Sequence, residues 1–509
     1  MLWQLTAIIL TSLATYIYCV WKPCKFVIDD TDGIQNYDGK IKEKSYYSYI
    51  KHFWYVMAGK DYARHHWFSV LLQMANCVLL YLLIGDLFNY DVAFLAALLF
   101  AVHPINTQSI AWISARGYPL GLFFLLVSLH IPKLFIYYPS LKAFPILGDV
   151  MFGLIFLWAT VSQFTTMLTF PVLLYMRHYN LAILSALIMA GSGLWLLHDI
   201  IKHRASTFKA QAMEKGTTFN ARKFIVAIKT LGYYTQLCVF PAHMGIYHKW
   251  GYHYNDKTEK EDSMFWVGLG LFISFCLLFV YGNPVVRFGI IWYFSFLFIF
   301  LNWITIHQFV SERYCYIANI GLCLIIANYL VGYPVVSAFI LGLYLMRTWQ
   351  HLPTYCEELR FYLSNIWNFP DSEVAMANLG VILMKGGLQG MAIDYWIMAT
   401  KVNPNYDVPY YNLYSTLKLR GDFNNSRKNL VCAISAPTCH FREMWTKELE
   451  KFDKELLQNK DKLQPWQVPE GLKTKIIDTA GNIIEIPTIP TLPVQPTLPQ
   501  GVNVVKATT

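Results

Sequence analysis

Residues 67–88 read WFSVLLQMANCVLLYLLIGDLF, an apolar run in which Asp86 is the only charged side chain. A helix rises about 1.5 Å per residue, so about 20 such residues cross a hydrocarbon core of about 30 Å, and this stretch reads as a membrane span. Similar runs lie on both sides of it: Leu2 to Val20, Val92 to Val102, Leu120 to Tyr137, Phe144 to Ala159 and Leu181 to Leu197, then Met264 to Tyr281, Val286 to Ile304, Tyr314 to Val331 and Val335 to Met346. Together they predict about ten to twelve spans, the shorter ones extended by flanking residues or re-entrant. Composition agrees with lipid as the solvent. Of 509 residues, 55% are hydrophobic and 17% aromatic, and 14% are charged where soluble chains average about 25%. The expected fold class is therefore all-α, a polytopic membrane helix bundle occupying residues 1–347.

The opening span has no basic residues before it, and Trp21-Lys22-Pro23-Cys24-Lys25 is not a small-residue cleavage site, so Leu2 to Val20 reads as a retained span rather than a leader. The net charge of +9 sits mostly in short loops between spans, which suits anionic headgroups of a bilayer better than nucleic acid. The ten cysteines form no CxxC units, and Cys77, Cys276 and Cys323 fall inside apolar runs. Neither a zinc site nor a disulfide framework is expected from that pattern.

After Arg347 the pattern changes to helices with charged faces, and the chain begins to repeat itself. Asn378-Leu379 returns as Asn412-Leu413, Gly387 as Gly421, Ala399 as Ala433 and Pro370 as Pro404, a step of about 34 residues, the length of a tetratricopeptide unit. Residues 348–450 are expected to form a short tetratricopeptide-like helical module, whose groove could take a protein partner or which could simply cap the bundle. Residues 451–509 turn polar and then carry Pro487, Pro490, Pro493, Pro496 and Pro499, a spacing that favours an extended, disordered tail.

Ionisable groups at the ends of spans are costly and mark candidate chemistry. Four clusters qualify. Asp29 and Asp30 follow the first span; neighbouring carboxylates can share a proton as a general base or hold a hard divalent cation, though a plain polar loop explains them equally. His103-Pro104-Ile105-Asn106-Thr107-Gln108 leads through Ala111-Trp112-Ile113-Ser114 to Arg116, whose planar fork suits a phosphate, while His103 could carry a proton or serve the fold. Phe240-Pro241 precedes His243, Tyr247, His248, Lys249 and Trp250, which could face a sugar or belong to an interfacial aromatic belt. Ser311-Glu312-Arg313-Tyr314 lies where two apolar runs meet, with Glu312 and Arg313 either neutralising each other or orienting an anionic headgroup.

Taken in order, Phe26-Val27-x-Asp29-Asp30, His103-Pro104-Ile105-x-Thr107 with Ala111-Trp112-Ile113-Ser114-x-Arg116, Pro171-Val172-Leu173-Leu174, Phe240-Pro241 and Glu312-Arg313-Tyr314, followed by the repeats, resemble the transmembrane and tetratricopeptide-repeat O-mannosyltransferases. The resemblance covers residues 20–440. That family is similar to the GT-C glycosyltransferases, so the resemblance implies transfer of a hexose, mannose first, from a polyprenyl-phosphate donor to a Ser or Thr hydroxyl on the non-cytoplasmic side. It implies Asp29 and Asp30 as catalytic acids, Arg116 and Arg313 on the donor phosphate, and His103, Gln108, Glu312, Tyr314, His248 and Lys249 in support. The membrane would be a bacterial inner membrane or the endoplasmic reticulum.

The chain also departs from that family's pattern. Gln108 stands where the family has a glutamate, Tyr118 where an aspartate is common, and Gln163-Phe164 where Lys-Glu follows a serine. Glutamine hydrogen-bonds but takes no proton, so a catalytically impaired scaffold that presents the repeats to a partner is the alternative reading. Basic residues from Lys202 to Lys229 would be cytoplasmic by the positive-inside rule, and whether they are depends on how the chain crosses between Ser162 and Arg177.

Overall fold

The computed structural model describes residues 1–138, 145–191, 221–303 and 310–458 and the strands 475–477 and 483–485, apart from interruptions within 22–45, at 247 and 249–262, and at 438 and 440. It divides into two compact units, the first ending at Ser364 and the second beginning at Asn365.

The first unit is a helix bundle. Six of its helices are long and apolar enough to cross a membrane: Leu2–Trp21, Tyr62–Leu87, Ile113–Tyr137, Ser263–Tyr281, Pro284–Leu301 and Glu312–Leu330. A bent pair, Tyr90–Val102 with Pro104–Ala111, would make a seventh. Against the expected ten to twelve, six or seven are thus found among the described residues by length and composition. The run at 146–162 forms a helix shorter than a span, the described part of the Leu181 to Leu197 run lies in the helix Tyr179–Gly191 with 192–197 outside the described residues, and Val335 to Met346 belongs to the more polar helix Pro334–His351.

We number the helices α1 (Leu2–Trp21), α2 (Tyr46–Ala58), α3 (Tyr62–Leu87), α4 (Tyr90–Val102), α5 (Thr107–Ala111), α6 (Gly117–Tyr137), α7 (Pro145–Ser162), α8 (Phe170–Tyr175), α9 (Tyr179–Gly191), α10 (Ala221–Val239), α11 (Ser263–Tyr281), α12 (Pro284–Leu297), α13 (Cys315–Leu330) and α14 (Pro334–His351). Helices α3, α4 and α13 form the interior, with α1, α6 and α14 packed around them. Polar residues inside the apolar runs bond to one another. Asn76 donates to the Pro119 carbonyl at 2.9 Å and to the Tyr316 hydroxyl at 3.2 Å, Tyr316 in turn donates to Gln73, and Tyr81 donates to Gln4 at 2.7 Å. Such bonds matter in lipid because no water replaces them. Small residues allow two close crossings: a Cβ on Gly289 would meet the Gly321 carbonyl at 2.7 Å, and one on Gly232 would meet the Gly268 backbone at 2.8 Å.

The outer surface is apolar. In α11 only Gly268 and Phe275 are buried, while Trp266, Ile273, Leu277 and Val280 are exposed. On α14, Val335, Phe339, Leu343 and Met346 form an exposed stripe. Large side chains exposed on helices of span length define a multi-pass membrane protein.

The chain passes Ser364 within α15 (Glu358–Asn368), and the second unit stacks α16 (Glu373–Lys385), α17 (Gln389–Val402), α18 (Asp407–Leu419), α19 (Phe423–Ser435) and α20 (Arg442–Gln458). Helices α16 with α17 and α18 with α19 are consecutive hairpins, and the repeated residues explain them. Gly387 (φ 78°) and Gly421 (φ 79°) take the left-handed conformation that the inter-helix turns need. Leu379 and Leu413 are buried at equivalent places, as are Ala399 and Ala433. The Trp396 indole fills the space beside Gly380 and donates to the Ala377 carbonyl at 2.9 Å. Helix α20 closes the stack with Trp445 and Phe452 and runs to Gln458, past the expected limit at 450. Beyond it, Lys475–Ile477 pairs antiparallel with Ile483–Glu485, and the proline-rich stretch lies outside the described residues.

Candidate functional site

The candidate residues gather at the end of the bundle where α4 finishes and α6 begins. His103 ends α4. Its Nδ1 accepts from the Ile105 amide at 3.2 Å, capping the turn Pro104–Asn106, and its Nε2 donates to the Cys238 carbonyl at 2.7 Å. Both ring nitrogens are thereby committed to backbone, a positioning task that holds the turn against α10.

Gln108, on α5, is fully buried. Its Oε1 accepts from the Ser311 hydroxyl at 3.0 Å and from the Arg313 amide at 2.7 Å, tying α5 to the turn Glu312–Tyr314. Its Nε2 has no hydrogen-bond partner among the described residues.

Asp30 is 1% exposed and meets the same segment a few residues on. Its Oδ1 accepts from the Ser114 amide at 2.7 Å and from the Ser114 hydroxyl. Burial pushes its carboxyl up from 3.8 to about 7, against the pull of the Ser114 bonds and of the Arg116 charge. Arg116 is equally buried. Its guanidinium lies 3.7 Å from the centroid of the Trp54 ring, and Nη1 donates to the His65 carbonyl at 3.2 Å. His66 is buried beside it against the Cys24 backbone.

Glu312 is the other buried carboxylate. It accepts from the Gly245 amide and faces two imidazoles, His248 Nε2 at 3.7 Å and His351 Nε2 at 3.5 Å. His248 Nδ1 in turn meets the Tyr233 hydroxyl at 2.7 Å. Burial drives the His248 imidazole down from 6.5 to about 4, with Glu312 pulling it partly back. Arg347 completes the hold on this loop, donating to the Pro241 and Ala242 carbonyls at 3.0 and 2.6 Å. Next to Glu312, the Arg313 guanidinium lies 4.9 Å from the Trp112 ring and bonds to the Tyr118 hydroxyl, which is also bonded to Gln163. Tyr314 stacks on Phe300 at 4.0 Å.

Two constellations therefore share the segment Trp112–Tyr118. Ser114 and Arg116 face Asp30, while Trp112 and Tyr118 face Arg313. The first pairs a carboxyl with raised proton affinity and a buried guanidinium, a set that can accept a proton near neutral pH beside an anion. The second sets the Arg313 cation beside the Trp112 ring and the Tyr118 hydroxyl. Asp29 and Lys249 lie outside the described residues. Among the described residues no three His, Cys, Asp or Glu side chains group as metal ligands.

Sequence reasoning missed Trp54, His65, His66, Tyr233 and His351. The adjacent histidines in the first turn of an otherwise apolar α3 were a usable signal, because imidazoles are rarely placed at a span end without a partner. Trp54 and His351 carried none.

The expectation on cysteines is corrected. Cys24 and Cys356 form a disulfide across 332 residues, and the Lys25 amide donates to the Cys356 carbonyl at 3.0 Å beside it. No short spacing reveals such a pair, since the fold alone brings the ends together. Comparison with known proteins finds no matching family model, no matching curated protein and no matching solved structure. The six apolar helices of span length fit a multi-pass helical membrane protein, followed by a helical C-terminal unit.

Proposed function

We propose that the chain is a GT-C-like glycosyltransferase that moves a hexose, mannose first, from a polyprenyl-phosphate donor to a Ser or Thr hydroxyl. The observation that carries this reading is Asp30, a buried carboxyl of raised proton affinity held by Ser114 next to the buried Arg116. In the proposed step the acceptor hydroxyl gives its proton to the carboxylate and its oxygen attacks the anomeric carbon. The bond from that carbon to the phosphate oxygen breaks, and the lipid phosphate leaves with the electron pair. Arg116, with Arg313 at the same end of the bundle, would stabilise the charge on the departing phosphate. The Cys24–Cys356 disulfide supports a non-cytoplasmic site, because such bonds persist in oxidising compartments. The paired hairpins of α16 to α19 support the tetratricopeptide-like reading and suit an acceptor protein.

The test is transfer from polyprenyl-phosphate mannose to a Ser/Thr-rich peptide by the full chain in proteoliposomes. Asp30→Asn should abolish product and Arg116→Lys should lower turnover by two or more orders of magnitude, roughly the loss of one transition-state donor. Undiminished transfer by Asp30→Asn would remove the chemistry from this carboxyl.

A second reading is a non-catalytic scaffold, favoured by Gln108, whose oxygen is fully used in joining α5 to the Glu312 turn. It expects no turnover with any polyprenyl-linked sugar while the second unit still binds a partner.

A further inference from the structure

Helices α3 and α6 run away from Arg116, and at their far ends, where α7 begins, the bundle holds a cavity of about 430 Å³. Its apolar wall includes Ile131 and Phe135 of α6 and Leu181 of α9, and its polar wall includes Asp149 of α7 and Arg177 between α8 and α9. A neighbouring cavity of about 340 Å³ shares Pro132 and His178 with it and reaches Leu87 and Ile136. The charges in the two cavities differ in kind. In the smaller one Asp86 and Lys133 form an ion pair, and the Tyr90 hydroxyl also bonds to Asp86. In the larger one Asp149 and Arg177 are both exposed and form no ion pair among the described residues.

Arg177 also adopts φ 63°, a left-handed conformation that costs a non-glycine residue about 1 kcal/mol. A glycine would make this turn without strain, so the side chain and not the backbone is the reason for an arginine here. The surrounding surface is apolar, with Ile136, Ile146, Leu147 and Val150 exposed.

We propose that this cavity binds one phospholipid with a zwitterionic, ammonium-bearing headgroup, its phosphate on Arg177, its ammonium on Asp149 and its chain along Ile131, Phe135 and Leu181. The charges select that occupant. A purely anionic headgroup would satisfy Arg177 but face the Asp149 carboxylate. A quaternary ammonium has no N–H to give that carboxylate, so ethanolamine is preferred over choline. The volume falls within the range of about 300–1,000 Å³ usual for small-molecule sites.

The test is native mass spectrometry of the full chain, delipidated and offered an equimolar mixture of phosphatidylethanolamine, phosphatidylcholine and phosphatidylglycerol. The wild-type chain should retain phosphatidylethanolamine above the other two. Arg177→Gln should lower that retention about tenfold, the loss of one charge-assisted hydrogen bond. Arg177→Gly, which relieves the backbone, should lower it equally and so excludes misfolding as the cause. Asp149→Asn should erase the preference for ethanolamine over choline. Stronger retention of phosphatidylglycerol, or retention unchanged in Arg177→Gly, would overturn the assignment and leave only annular lipid.

Discussion

The pH dependence of Asp30 can be read out as stability. Its carboxyl titrates near 7 in the folded chain and near 3.8 when exposed, so between those values the folded state holds a proton that the unfolded state has released. Stability contributed by this group is therefore intact below about pH 4 and is lost as pH rises to about 7. At about 1.4 kcal/mol per pH unit, that window amounts to about 4 kcal/mol. Asp30→Asn removes the titration while keeping an oxygen to accept from Ser114. The variant should match its parent at pH 4 and become the more stable of the two as pH rises, the gap levelling off above pH 7. His248 acts in the opposite direction, since its depressed value makes stability fall as pH drops from 6.5 to about 4. It is present in both chains, so it cancels in the difference. The assay is thermal unfolding of the purified chain in detergent, followed by tryptophan emission from pH 4 to 8.5. A difference between variant and parent that does not change with pH would refute the burial argument for Asp30.

Glu312→Gln keeps an acceptor for the Gly245 amide but loses the charge facing His248 and His351, and should cost about 2 kcal/mol in the same unfolding assay. It should also depress the His248 imidazole further, visible as a lower titration midpoint in NMR of labelled histidine. Cys24→Ser should destabilise the chain by about 2–4 kcal/mol. In a chain whose other eight cysteines are replaced by serine, a mass-tagging maleimide should reach Cys24 and Cys356 only after a reductant is added; labelling without reductant would count against the bond.

What could be read from the sequence follows the range of the forces involved. Spans depend on hydropathy within one stretch, and the six helices long and apolar enough to cross a membrane coincide with runs recognisable in the chain. The shorter runs raised the count because apolar composition does not distinguish a crossing from a shorter apolar helix such as α7. The repeat hairpins were equally legible, since Gly387 and Gly421 fix each turn locally. The site was legible in part. Asp30, Arg116, Glu312 and Arg313 stood out by charge at span ends and Gln108 by its place after the His103-Pro104 motif, but the partners Trp54 and His351 lie far away in sequence and became visible only through packing. The same holds for Cys24 and Cys356.

The positions that depart from the resembled family bear on the choice between transferase and scaffold. Gln108 and Tyr118 both converge on Arg313, one bonding its amide and the other its guanidinium, and Gln163 joins through Tyr118. Three neutral side chains thus meet at this one cation. Gln108→Glu tests what this did. A carboxylate could accept from Ser311 and the Arg313 amide as the glutamine oxygen does, and it would replace the Nε2 that has no partner. Against this stands the cost of burying a second carboxylate near Glu312, offset by the Arg313 charge. The variant should therefore stay within about 1 kcal/mol of the parent in unfolding. If the site transfers sugar with Asp30 as its base, an added carboxylate beside Arg313 should change turnover at least severalfold. A folded variant with turnover undetectable in both it and the parent would favour the scaffold, because restoring the missing acid would then have nothing to restore.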